Sequence, residues 1–359
     1  MQENNKLEPQ ATDKHGLLTA PIPETLRKMT VPMTMGMIAI LMFNLVDTFF
    51  ISLLGTQALA AISYTFPVTF AVNCITMGIG MGLSTNIGRL LGQGHAPQAA
   101  RFTTHGLLLA VLLVAITSSI GFTTIAPLFR FLGASDDLIP LIEQYMQVWY
   151  LTIPLLCGSF YVLIKREKLL AQPQWALLKQ DWQQTLKIGT PAALSNAMNP
   201  LSGAILMMLL SNHGTAAVAA YGAAQRIESI LILVLMSLTS ALTPFMAQNL
   251  GAKQPQRAFS GLFISMRFAV VFQGFIFLMM VPLSIPLAAL FSQEDAVKNL
   301  LWHYLLVVPF SYGFQGIVMM LVSGLNAMHK PLRAFQWSFM RLFIFTLPSA
   351  WIGSQIYSI

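Results

Sequence analysis

The side chains best placed to do chemistry in this chain are acids in apolar surroundings. Asp47 lies deep in the apolar run 30–52, and Glu228 lies in the run 216–246. A charge at the centre of a bilayer costs roughly 2.5–3.5 kcal/mol on insertion scales. A carboxyl placed there needs a proton, a polar neighbour or water, which suits a group that takes up and releases a coupling ion. Asn44 stands three residues before Asp47 on the same helical face and is placed to hydrogen-bond it. The plain alternative is a neutral, hydrogen-bonded acid that only packs helices. Arg226 and Glu228 are two residues apart and project about 200° apart around a helix, so they cannot pair with each other. Each needs another partner or a watery cleft. Their plain reading is an interhelical structural pair.

Other patterns point away from catalysis. Gly78, Gly80 and Gly82 lack a preceding strand and a phosphate-loop lysine, so close helix packing or a hinge explains them better than a nucleotide site. His105 and His303 sit near the ends of apolar runs without ligand spacing. Cys74 and Cys157 both lie in apolar runs, and neither a disulfide nor a metal site is expected. The 21 methionines and 24 phenylalanines could line a tolerant cleft, although lipid contact and core packing account for most of them. No Ser-His-Asp set or paired carboxylates are present, so no enzyme and no cofactor are expected.

The elements that must position these residues follow from composition. Only 9% of the 359 residues are charged and 55% are apolar, against about 25% charged in soluble proteins. Nine runs are long enough to cross a bilayer: 30–52, 58–83, 104–126, 138–164, 186–211, 216–246, 258–283, 299–324 and 334–355, the last interrupted by Arg341. They are predicted to be helices, because an open strand leaves its backbone unsatisfied in lipid. The fold class is thus all-α and multi-pass. The net charge of +7 sits in short loops: Arg27 and Lys28, Arg89 and Arg101, Lys165 to Lys187, Lys253 and Arg257, Lys330 and Arg333. These loops alternate with acidic ones, which puts the N-terminus on the cytoplasmic side of a bacterial-type inner membrane. The partner is then the lipid bilayer and not nucleic acid. Residues 1–24 are polar and are read as a disordered cytoplasmic tail.

An internal repeat is visible at an offset of 159 residues. Pro32 maps to Pro191, Gly55-Thr56 to Gly214-Thr215, Leu91-Gly92 to Leu250-Gly251, Pro127 to Pro286 and Tyr145 to Tyr304, without a gap. Four spans separate equivalent points, an even number, so the halves are expected to be parallel. Residues 25–164 form a first lobe of four spans, 165–185 a cytoplasmic linker, and 186–359 a second lobe of about five. Asp47 maps to Leu206 and Glu228 to Thr69, so the two acids are not repeat-equivalent.

The stretch Asn44-Leu45-Val46-Asp47-Thr48, with Leu54-Gly55-Thr56-Gln57-Ala58-Leu59-Ala60, resembles the first-helix signature of the multidrug and toxic compound extrusion (MATE) family. Ala220 to Ser229, with its Arg226-Ile227-Glu228-Ser229, is similar to the DinF-type branch, and Ala247 to Lys253 resembles the inner end of the family's eighth helix. The resemblance implies two six-helix lobes that export an organic cation or amphipathic drug in exchange for H⁺ or Na⁺, as a monomer. It supports ion coupling at Asp47, for which Asn44 is the candidate partner by spacing, while Glu228 and Arg226 are candidates for substrate contact or gating by their place in the sixth run. The chain departs from the pattern: about two helices are missing near Leu155 to Gly158, and the twelfth is absent. The missing helices supply partners of the first-helix aspartate by resemblance, so transport is expected to be impaired. A non-transporting membrane remnant or interaction protein is one alternative. A lipid-linked saccharide flippase is another, disfavoured because embedded cations are few.

Overall fold

The computed structural model describes residues 16–151, 170–211, 213–291 and 294–356, and these are helical apart from short turns. The chain runs α1 (Ile22–Ser52), α2 (Thr56–Gly92), α3 (Ala96–Phe131) and α4, helical over 139–151. The second half holds α5 (Trp175–Ser211), α6 (Thr215–Leu231), α7 (Leu233–Gly251) and α8 (Pro255–Phe291). After these come α9 (Asp295–Val307), a 3₁₀ turn (Val308–Ser311), α10 (Tyr312–Ala327), α11 (Pro331–Met340), a π-helical turn (Arg341–Thr346) and α12 (Leu347–Ile356). Among the described residues, seven stretches are long and apolar enough to cross a membrane, as expected of backbone that must satisfy itself in lipid.

Seven of the nine expected spans correspond to those stretches. The run 138–164 extends into residues outside the described ones. The run 334–355 is helical but bears the π-helical turn at Arg341. The run 216–246 is also broken, at Ile232, between α6 and α7. The carbonyl of Leu231 freed there accepts Gln273 Nε2–H at 3.1 Å.

Two boundaries are corrected. The part of 165–185 read as linker is helical from Trp175 onward, and its Asp181 is bonded to Arg101 of α3. The tail 1–24 is structured from residue 16: Leu17 and Leu18 are buried, the Leu17 carbonyl accepts from Asn249 Nδ2 and Arg257, and α1 begins at Ile22.

Element ends repeat at the 159-residue spacing. α1 and α5 end at Ser52 and Ser211, α2 and α6 begin at Thr56 and Thr215, α2 and α7 end at Gly92 and Gly251, and α3 and α8 begin at Ala96 and Pro255. The turns repeat too: Gly55 and Gly214 have φ of 107° and 98°, and Gly94 and Lys253 have φ of 78° and 59°.

The halves meet along α2. A Cβ on Gly92 would lie 1.9 Å from the Gln248 carbonyl, one on Gly88 3.1 Å from Ala247 Cβ, and one on Gly251 2.2 Å from the Arg89 carbonyl. Shifted by 159, each α7 partner falls within three positions of its α2 neighbour. The helices therefore run parallel and in register about a local two-fold, the relation expected for parallel repeats. Against α5 the order is reversed. Gly78 abuts Gly189 and Gly82 abuts Thr185, so α2 and α5 are antiparallel. Small residues permit this approach where no hydrophobic driving force separates helix from lipid.

Candidate functional site

Each half pins its membrane acid with a tyrosine. Tyr145, on α4, donates its hydroxyl to Asp47 Oδ2 at 3.2 Å. Tyr304, on α9, donates to Glu228 Oε2 at 3.3 Å. The two tyrosines are repeat-equivalent although the two acids are not, so one scaffold position serves a different acid in each half. Tyr221 stacks edge-on against Tyr304 with centroids 6.1 Å apart and accepts Gln225 Nε2–H at 2.6 Å. Tyr312 and Gln315 lie near the same carboxyl.

Of the residues singled out from sequence, Asp47 and Glu228 are half-buried and each is met by a hydroxyl, as a membrane acid requires. Asn44 lies one turn below Asp47 with its side chain exposed, and the hydrogen bond seen at Asp47 comes from Tyr145. Arg226 is exposed and stands apart from the tyrosine cluster on its helix. Asp47 and Glu228 are not brought together.

Between the halves lies a cavity of about 320 Å³. Met37 of α1 and Met77, Met81 and Ser84 of α2 face Asn196 and Asn199 of α5, Thr239 and Thr243 of α7, Asn326 of α10 and Arg341. Its wall is thioether, hydroxyl and carboxamide. Among the described residues, Arg341 is its one charged side chain. Arg341 Nη2 donates to Asn199 Oδ1. The π-helical turn inserts an extra residue at Arg341, where the sequence shows an interrupted span, and such turns recur at functional sites. Asn326 is 1% exposed and its Oδ1 has no protein partner among the described residues. A buried amide oxygen left so calls for a ligand or water.

A third polar group lies where α3 and α5 begin. Asp181, 2% exposed, accepts from Arg101 Nε at 3.0 Å and lies 2.6 Å from His105 Nδ1. Gln174 N–H meets His105 Nε2 at 3.1 Å, and Trp182 Nε1–H donates to the His105 carbonyl at 2.8 Å. This fully satisfied network fixes α5 on the first half. His105, which lacks ligand spacing in the sequence, is here a buried, hydrogen-bonded histidine. The sequence pattern does not single out Asp181, which lies inside the stretch read as linker. Its signal was a lone acid among Lys179 and Lys187.

Comparison with known proteins fits this two-fold construction. The MatE family profile matches residues 32–163 and again 191–352, and the second match starts 159 residues after the first. The chain belongs to the MATE family. It is a membrane transporter by family and not an enzyme. A MATE relative, the FAD transporter of Shewanella oneidensis, is 39% identical over 410 residues, covering 96% of this chain and 91% of that protein. That alignment is 51 positions longer than the 359-residue chain, so the relative holds at least that many residues with no counterpart here. The multidrug export protein MepA of Staphylococcus aureus is 23% identical, over 64% of this chain and 65% of its own length. The structure of the Vibrio cholerae MATE transporter VcmN in the bent form matches with a TM-score of 0.88 at 26% identity, covering 94% of this chain and 90% of that one.

Proposed function

We propose that the inter-half cavity binds an amphipathic, phosphate-bearing substrate of the flavin dinucleotide type and that the chain moves it outward in exchange for H⁺ or Na⁺ at Asp47. The observation that carries this reading is the lining. Among the described residues, an organic cation entering this cavity meets Arg341 and no carboxylate. At roughly 6 Å and an effective dielectric of about 20, that repulsion is about 3 kcal/mol. A phosphate gains a comparable attraction, with the guanidinium fork suited to its geometry. Met37, Met77 and Met81 supply polarizable contacts for a flat ring, and Asn196 and Asn326 supply amide groups for its polar edge. The name of the Shewanella relative agrees with this substrate class. The cationic drugs implied by the family resemblance fit the lining less well.

In this reading the membrane is a bacterial-type inner membrane with the N-terminus inside, and the two lobes are 25–164 and 186–359. Asp47 and Tyr145 form the ion-responsive pair. Glu228, with Tyr304, contributes to gating in the second lobe. The test is ion-gradient-driven export from vesicles holding the chain, with FAD, riboflavin and ethidium compared. FAD export exceeding that of the other two supports the reading, and preferential ethidium export overturns the substrate class.

One observation favours a second reading, a chain that binds but does not turn over. α5 is covered by α11 and α12, whereas its repeat-equivalent α1 leaves Phe43, Leu45 and Phe50 69%, 56% and 61% exposed. Alternating access needs lobes that seal on each face in turn. Binding of FAD without export in the vesicle assay would favour this second reading.

A further inference from the structure

A second cavity, about 310 Å³, lies at the basic end of the bundle. Both halves build it. α2 and its cap supply Asn86, Arg89 and Gln93, α5 supplies Gln184, and the turn between α10 and α11 supplies His329. Among the described residues, its lining holds no acid. Arg89 has no carboxylate partner among the described residues, and Lys187 lies close enough to act on the His329 ring. Burial first, then Arg89 and Lys187, hold that imidazole below its ordinary value of 6.5, against a hydrogen bond with the Ala327 backbone that works the other way.

Two further features suit an anion. The C-terminal carbonyls of α2, which would repel one, are already occupied: those of Arg89, Leu90 and Leu91 accept the amides of Gln93, His95 and Gly94. His329 is held at φ 58°, a left-handed conformation that glycine adopts more readily. There its Nε2 lies 3.2 Å from Asn86 Oδ1, which ties the second half to the first.

We propose that this cavity binds a phosphate-class anion between Arg89, His329 and the amides of Gln93 and Gln184, and that the anion clamps the two halves in the packed arrangement of α2 on α7. The site is separate from the cavity at Arg341 and does not depend on what that cavity carries. The same chemistry is offered by a soluble phosphate ester and by the headgroup of an anionic phospholipid.

The test uses the whole chain in nanodiscs and follows its thermal unfolding midpoint. One arm titrates inorganic pyrophosphate into phosphatidylcholine discs. The other replaces phosphatidylcholine with phosphatidylglycerol. The variants are R89Q, which alters an exposed side chain, and H329N, since asparagine tolerates positive φ. R130Q, which alters an exposed cation at the opposite end of α3 from Phe102 of this cavity, is the control. A saturable rise in midpoint with pyrophosphate, its apparent affinity reduced about tenfold or more by either variant and unaltered by R130Q, supports a soluble anion. A rise seen only with phosphatidylglycerol and lost in both variants supports the site with a lipid as its source. No rise in either arm, an equal rise in R89Q and H329N, or loss of the rise in R130Q overturns the proposal.

Discussion

The seam between α2 and α7 can be tested with one substitution at three glycines. In G92A the new methyl would stand 1.9 Å from the Gln248 carbonyl, where ordinary contact begins at 3.4 Å. The helices must part locally by about 1.5 Å, and overpacking of this kind destabilises by about 1–3 kcal/mol. G251A meets the Arg89 carbonyl at 2.2 Å and belongs to the same range. G80A is the contrast, since no atom lies within 4 Å of its Cβ position. There the substitution adds only helix propensity, about 0.8–1.0 kcal/mol in favour of alanine. The double variant G92A/G251A is expected to lose less than the sum of the single losses, because the first methyl already opens the seam for the second. The assay is the unfolding midpoint in one detergent, read by intrinsic tryptophan fluorescence. A G92A protein as stable as the parent, or a G80A protein as damaged as G92A, would refute the close parallel packing of the halves.

D181N leaves Arg101 without its buried counter-charge and the His105 Nδ1 without its carboxylate partner, and is expected to destabilise by about 3–5 kcal/mol, measured as a fall in the same midpoint. Because the His329 pKa is lowered on folding, the unfolded chain takes up its proton first as pH falls through about 6.5. Stability should decline below that pH until the folded value is reached, and H329N should flatten this limb of the stability profile. Y145F removes the described donor to Asp47, so D47N and Y145F should be non-additive in ion-driven export, with the double variant close to D47N alone. Additive losses would show that the two groups act separately.

Much of the architecture was legible because the repeat is written twice. The pairs Gly55–Gly214 and Leu91-Gly92–Leu250-Gly251 mark positions where the chain must turn through positive φ or approach a neighbouring backbone, and both constraints survive in the sequence. The reading of Gly78 and Gly82 as packing glycines is explained by their contacts with Gly189 and Thr185. Gly80, between them, faces the cavity. The acids were legible because a carboxyl in an apolar run is anomalous wherever it occurs. Their donors were not read as site residues, since a tyrosine in a membrane helix is ordinary. The clue was the equivalence of Tyr145 and Tyr304. Arg341 was seen only as an interruption, because a π-helical turn has no spacing signature. The cavity joins α1 and α2 to α5, α7 and α10, contacts far apart in sequence that periodicity cannot supply.

The central claim is that a phosphate-bearing dinucleotide occupies the inter-half cavity through Arg341. Binding of FAD to the purified chain, followed by quenching of flavin fluorescence in the parent and in R341Q, tests it without requiring transport. The account predicts saturable binding that weakens about tenfold or more in R341Q, while riboflavin, which lacks the phosphates, binds both proteins alike. Equal FAD affinity in the parent and R341Q, or no saturable FAD binding by the parent, would contradict it.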